Sequence, residues 1–195
     1  MILEFNTVYG ETESITVVER SKFICNIKRI NNEDEAKEYV NAIRKKHSLA
    51  NHHCYAYIAD ENGLNMKFSD DGEPQGTAGM PMLDVLKSKK IYKTCAVVTR
   101  YFGGIKLGVG GLGRAYKISA DEVLKNCEEF EIRNVLKFNC SYSQFEKLKA
   151  TKGSEFSVDE VVYGENVLAT ISAKKTLKLD ENLFDFEIVG ERYEK

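Results

Sequence analysis

"VVTRYFGGIKLGVGGLGRAY", residues 97–116, sets Gly103, Gly104, Gly108, Gly110, Gly111 and Gly113 among Arg100, Lys106 and Arg114, directly after an apolar run. That run, TCAVVTRYF (94–102), lacks the alternation of a half-exposed strand and so predicts a strand buried on both faces. From about Gly111 to Asn126, Leu112, Ala115, Ile118 or Ser119, and Val123 recur at helical spacing. A strand, a glycine-rich connection and a helix could make a nucleotide loop, a nucleic-acid platform or a plain hinge.

The nucleotide reading fails on spacing. Gly108, Gly110 and Gly113 satisfy G-x-G-x-x-G, but in a dinucleotide fold the first glycine sits at the strand's end, and here Gly108 follows Phe102 by six residues. Gly103 and Gly108 have the separation of a Walker loop, yet Val109 and Gly110 stand where Lys and Ser/Thr must hold phosphate and magnesium. What the glycines do supply is bare backbone N–H at a helix start. With Arg100, Lys106 and Arg114 nearby, that is an anion site without a nucleotide motif. Tyr101, Phe102 and Tyr116 offer stacking surfaces for bases; Tyr101 and Phe102 fall on opposite faces by alternation, so Phe102 reads as core and Tyr101 as the candidate stacking residue.

Charge points the same way. Between Asp84 and Asp121 lie 36 residues without an acid, holding Lys87, Lys89, Lys90, Lys93, Arg100, Lys106, Arg114 and Lys117. The rest of the chain, with 20 basic residues against 30 acidic ones, carries about −10, so a net charge of −2 hides one face suited to anions.

Upstream, residues 15–30 read as two strands broken around Glu19–Ser21. Asn31–His47 reads as a helix with Asn32 as its N-cap, acids in the first turn and bases in the last. HHCYAYIAD (52–60) and LNMKFSDD (64–71) flank the turn pair Asn62-Gly63, and a second helix carries Pro81 in its first turn. Downstream, VLKFNCSY alternates Leu136, Phe138, Cys140 and Tyr142. Ser143-Gln-Phe-Glu146 reads as a capping box for a helix ending at Gly153, and FSVDEVVY, VLATISA and FDFEIVGERY read as strands. This order predicts a ferredoxin-like module with a weak second helix in KKTLKLDENL. The fold class expected is therefore α+β in two domains, 1–130 and 134–195.

The 195 residues, 43% hydrophobic, can bury a core without staples; the five scattered cysteines read as reduced thiols. With neither a signal-type leader nor an apolar span of about 18 residues, the expectation is a cytoplasmic protein without a membrane role. The loop Asp70-Asp71-Gly72-Glu73 lacks calcium-loop spacing and reads as a turn that caps the next helix and pairs with Arg100 or Arg114. His52 and Cys54 share a strand face, with His53 turned away, too far apart for a catalytic pair.

Three stretches, HHCYAYI (52–58), FSDDGEPQGTAGMPML (68–83) and VVTRYFGGIKLGVGGLGRAY (97–116), together resemble the signature of the YigZ/IMPACT family. The resemblance covers essentially the whole chain. It departs at Gly113, where a larger apolar residue is usual, and in the reduced second helix of the C-terminal module. It implies an N-terminal domain like the second domain of a small-subunit ribosomal protein and domain IV of elongation factor G, followed by a domain like domain V of that factor. It also implies translation regulation by binding, as in eukaryotic relatives that damp the amino-acid starvation response.

Together these readings give a binding protein rather than an enzyme, docking RNA, the ribosome or a protein partner in translation control. Arg100, Gly103, Gly104, Lys106, Gly108 and Arg114 are its candidate anion contacts and Tyr101 its stacking residue. Asp70, Asp71 and Glu73 support the arginines, and His52 lies at the margin. No catalytic residue, metal or cofactor is expected. The rival reading is a magnesium-dependent enzyme acting on a phosphorylated small molecule, which needs the acidic and glycine-rich loops to share a cleft.

Overall fold

The computed structural model describes residues 6–125, 129–150, 155–174, 177–179 and 184–194. The chain is α+β and divides into two compact units, Met1–Phe130 and Glu131–Lys195. The first contains β1 (Asn6–Val8), β2 (Glu11–Val18), β3 (Ser21–Arg29), α1 (Glu33–Lys46), β4 (His52–Ile58), β5 (Met66–Ser69), α2 (Gly79–Ser88), β6 (Thr94–Tyr101) and α3 (Gly108–Lys125). Its main sheet is antiparallel, in the order β2-β3-β6-β4-β5. An antiparallel β6 cannot belong to the parallel βαβ unit of a dinucleotide fold.

The central position of β6 decides its burial. Cys95 and Val97 face α1, whose Ala36, Tyr39, Val40 and Ile43 pack against them. Ala96, Val98 and Arg100 face the other way, pairing in register with Ile27, Cys25 and Phe23. There α2 and α3 cover the sheet, and Tyr116 of α3 meets Phe23 edge-on, ring centroids 5.2 Å apart. Thr94–Arg100 is consequently buried throughout, as the unbroken apolar run predicts.

Local signals set the ends of the elements. The Asn32 side chain accepts the N–H of Glu35 at 2.9 Å, with acids and bases at the two ends of α1 as the macrodipole favours. The helix α3 starts at Gly108, three residues before the predicted start. Glycine lowers helix stability by about 1 kcal/mol per residue. The buried stripe of Leu112, Ala115, Tyr116, Ser119 and Val123 outweighs that cost, leaving Ile118 exposed. Between β2 and β3, Glu19 (φ 45°) and Arg20 (φ 63°) are both left-handed, the geometry that a two-residue hairpin needs.

The second unit holds β7 (Glu129–Cys140), α4 (Tyr142–Ala150), β8 (Phe156–Tyr163), β9 (Val167–Lys174) and β10 (Phe186–Glu194). Antiparallel pairing in the order β10-β7-β9-β8 leaves β7 and β8 parallel with β9 between them, the split βαβ of a ferredoxin-like fold. Leu136, Phe138, Phe145, Leu148, Val167 and Ile171 centre its core. Two sequence readings are corrected here. The capping box is Ser141 with Gln144, whose amide oxygen accepts the Ser141 N–H at 2.8 Å, so the helix begins before Ser143. Tyr142 therefore starts α4 and is exposed rather than continuing the buried face of β7. Of the expected second helix, Leu177–Leu179 is not helical and residues 175, 176 and 180–183 lie outside the described residues, as does Gly153.

Cys25, Cys54, Cys95 and Cys140 are free and buried; Cys127 lies outside the described residues. Among the described residues no helix is long and apolar enough to cross a membrane.

Candidate functional site

The site grows from two paired strands. Register sets His52 of β4 opposite Arg100 of β6 and Cys54 opposite Val98, all on the face covered by α2 and α3. Onto that edge folds the acidic turn. The N–H of Glu73 donates to the Asp70 carbonyl at 2.9 Å, while Asp71 (φ 43°) and Gly72 (φ 87°) take left-handed backbone. Asx residues and glycine tolerate that region, which is why this tetrapeptide turns here.

Each carboxylate then finds its own partners. Asp70 accepts the N–H groups of Gly76, Ala78 and Gly79 at 2.8–2.9 Å and so holds the start of α2. Asp71 accepts Arg44 of α1 and the His53 N–H, each at 2.7 Å. Glu73 accepts Arg100 at 2.6 Å and the Tyr116 hydroxyl at 2.8 Å. The Arg100 and Glu73 side chains are 6% and 4% exposed, so this ion pair is an internal one. With three diverging carboxylates, the turn does not present a shared oxygen cage to a hard cation.

Arg100 pairs with the acidic turn, as the sequence reading of that turn has it, through Glu73; as a candidate anion contact, however, it is placed otherwise than expected, because it faces inward. It also rests against Ser21, 3.3 Å from its hydroxyl, and between the rings of Phe23 and Phe102. Glu73 leaves no charge on that guanidinium for an outside anion. Arg114 stands apart from the acidic turn and is exposed on α3.

The buried cluster does not contain an activated nucleophile. The Cys54 thiol lies 3.0 Å from the Asp70 carbonyl and 3.3 Å from the Tyr116 hydroxyl. Burial pushes both the Cys54 thiol and the Tyr116 phenol far up, and the neighbouring carboxylates add to it. Both stay protonated, and a protonated thiol is neither nucleophile nor metal ligand. His52 Nδ1 faces the Asp71 carbonyl at 2.9 Å, so it carries the hydrogen, and Nε2 faces Glu73 at 3.9 Å.

The outer side has the opposite character. Gly103 donates its N–H to the Ser21 hydroxyl at 3.1 Å, and a Cβ there would lie 2.0 Å from the carbonyl carbon of Arg20. Only glycine lets the connection run under the β2–β3 turn. Gly104 (φ 86°) and Gly108 (φ 69°) give the left-handed bends that carry the chain into α3. Lys106 and Arg114 are exposed, and Arg114 Nη1 lies 3.9 Å from where a Cβ on Gly110 would sit, over the first turn of α3. Lys89 pairs with Asp121 and Lys93 with Glu61. Among the described residues, Lys87, Lys90, Lys106, Arg114 and Lys117 have no ion-pair partner, nor have Arg20 and Lys22 beside Gly103.

Tyr101 is not grouped with these cations. It lies on the α1 face, its hydroxyl 3.2 Å from His47 Nδ1; burial lowers the His47 pKa, and the adjacent Lys46 charge lowers it further. Phe102, read from the sequence as core, is instead 46% exposed. Tyr116, read from the sequence as a further stacking surface, is instead fully buried against Glu73 and Cys54, and Ser21 is a partner of the cluster that the sequence reading missed. Their signal, the helical stripe of α3 and the β2–β3 turn, identifies packing positions without naming what they touch.

The model of the Impact N-terminal domain matches residues 19–124. The chain is 44% identical over 170 residues to the IMPACT family member YvyE of Bacillus subtilis, covering 86% of this chain and 78% of that relative. It is 34% identical over 182 residues to YigZ of Escherichia coli, covering 88% and 89%. Among solved structures it is similar to a crystal structure of a hypothetical protein, with a TM-score of 0.64 and 30% identity over 89% of this chain and 86% of that one. The matched region spans the acidic turn, the buried ion pair and the glycine-rich connection, and on these grounds the chain belongs to the IMPACT family.

Proposed function

We propose that this protein is a non-catalytic, cytoplasmic regulator of translation that docks RNA phosphates, on or near the ribosome, through the face around the β6–α3 connection. One observation carries the reading: Lys106, Arg114 and Lys117 are exposed without an ion-pair partner among the described residues, in a chain whose remaining charge is acidic. Arg20 and Lys22 flank the same connection through the β2–β3 turn. Unpaired cations beside bare helical N–H groups favour phosphate, and the acidic remainder disfavours indiscriminate binding. The part played by Arg100 is indirect: paired with Glu73, it holds the connection in place.

Co-sedimentation with ribosomes at low and raised salt tests this. Each phosphate neutralised steepens the salt dependence by roughly 0.7 log units per log unit of salt for single-stranded RNA. A Lys106→Glu, Arg114→Glu double variant is expected to stay in the supernatant. Association indifferent to salt overturns the proposal, and association surviving nuclease treatment assigns the face to a protein partner instead.

A further inference from the structure

Phe102 is the first residue after β6, and its position is built rather than incidental. Its N–H donates to the Asn51 side chain at 2.9 Å. One face of its ring lies over the Arg100 guanidinium, 5.5 Å from Cζ to the centroid. That guanidinium is itself held over Phe23 at 5.4 Å and clamped by Glu73 and Ser21. An aromatic ring resting on a buried, immobilised cation keeps few rotamers, yet nearly half of its surface stays open. Single exposed apolar residues are ordinary on protein surfaces. This one is different in its support and its company: exposed Ile105 follows in the same connection and exposed Val109 in the first turn of α3, with Lys106 and Arg114, which have no ion-pair partner among the described residues. The one carboxylate in the adjoining β2–β3 turn, Glu19, is followed directly by Arg20.

A rigid ring ringed by cations is the recurring construction of single-strand nucleic-acid binding, in which bases stack on aromatics while Lys and Arg follow the backbone. A base within a duplex already has both faces covered, so a side chain of this kind reaches only an unpaired one. We infer that Phe102 is the stacking face of a subsite for an unpaired nucleotide, with Lys106 and Arg114 taking the flanking phosphates. The inference rests on the RNA-docking reading above and adds to it the state of the RNA.

The test is fluorescence anisotropy of the full chain with a labelled oligoadenylate and with an RNA duplex of the same length, at two salt concentrations. Phe102→Ala and Phe102→Leu are both expected to weaken oligoadenylate binding roughly ten- to hundredfold, while the salt slope and the duplex affinity stay put. Phe102→Trp keeps or improves binding. Because Leu and Trp still cover Arg100, a folding defect is separated from a lost stack, and thermal unfolding of each variant checks it. Wild-type affinity in Phe102→Leu, or equal losses on duplex and single strand, overturns the stacking subsite and leaves the docking reading standing. If neither RNA binds at low salt, it is the docking reading that fails.

Discussion

Arg100 and Arg114 stand fourteen positions apart in one glycine-rich segment, yet their environments are opposites. Arg100 lies one position before the end of a strand covered on both faces, and its charge is met at 2.6 Å by a carboxylate 27 residues upstream. Arg114 lies on the outer side of a helix, without an ion-pair partner among the described residues. The lesson is that a local density of basic residues does not define a binding face. Burial sorts them first, into cations that hold the fold and cations left over for a ligand.

Breaking the inner half of this contrast should have the largest effect. Glu73→Gln leaves Arg100 buried without its counter-charge, a change expected to cost about 3–5 kcal/mol. Urea unfolding of the full chain reads it, and a Glu73→Leu, Arg100→Met double variant should recover much of the loss. A fully stable Glu73→Gln protein would mean the pair is solvated and the contrast false.

Gly103 sharpens the boundary between the two halves. A methyl at Gly103 must push the β2–β3 turn away, and overpacking of this kind costs about 1–3 kcal/mol. At Gly104 the space is open and only its φ of 86° opposes a side chain, so Gly104→Ala should destabilise less than Gly103→Ala in the same assay.

Protonation offers a third probe of the inner cluster. The folded chain holds the Cys54 and Cys95 protons above the ordinary thiol range through burial, whereas the unfolded chain releases them near pH 8.5. The folded state then binds more protons than the unfolded one, so stability is fully present below that pH and declines as pH rises. The slope is about 1.4 kcal/mol per pH unit for each such thiol. Urea midpoints measured from neutral to alkaline pH should show the decline, and Cys54→Ala should make it shallower.

Removing outer charges should leave stability almost untouched. Lys106→Gln and Arg114→Gln are each expected within about 0.5 kcal/mol of wild type by unfolding. Each should nevertheless lower the RNA-binding salt slope by about 0.7. A stability loss comparable to that of Glu73→Gln would place these side chains inside the structural network after all.

Much of the architecture is legible in the chain because local physics writes it there. Asn32 caps α1, Asn62-Gly63 lies between β4 and β5, and the alternation of Leu136, Phe138 and Cys140 marks the buried face of β7. The errors have local causes too. Ser141 and Gln144 compete with Ser143 and Glu146 as capping pairs of the same spacing, and the glycines of α3 hide its first turn from any propensity argument. Phe102 looked apolar and therefore internal, although it lies one residue past the end of the sheet.

The amino-acid order by itself determined the succession of strands and helices, the double burial of β6 and the long acid-free stretch, because periodicity, capping and charge act over a few residues. Only tertiary structure decided that Glu73 meets Arg100 and Tyr116, that Asp70 holds α2, and that Phe102 is left open on top of a guanidinium. Those outcomes depend on which distant side chains arrive at one point, and contacts between residues 27 or 43 positions apart leave no periodic trace in the chain.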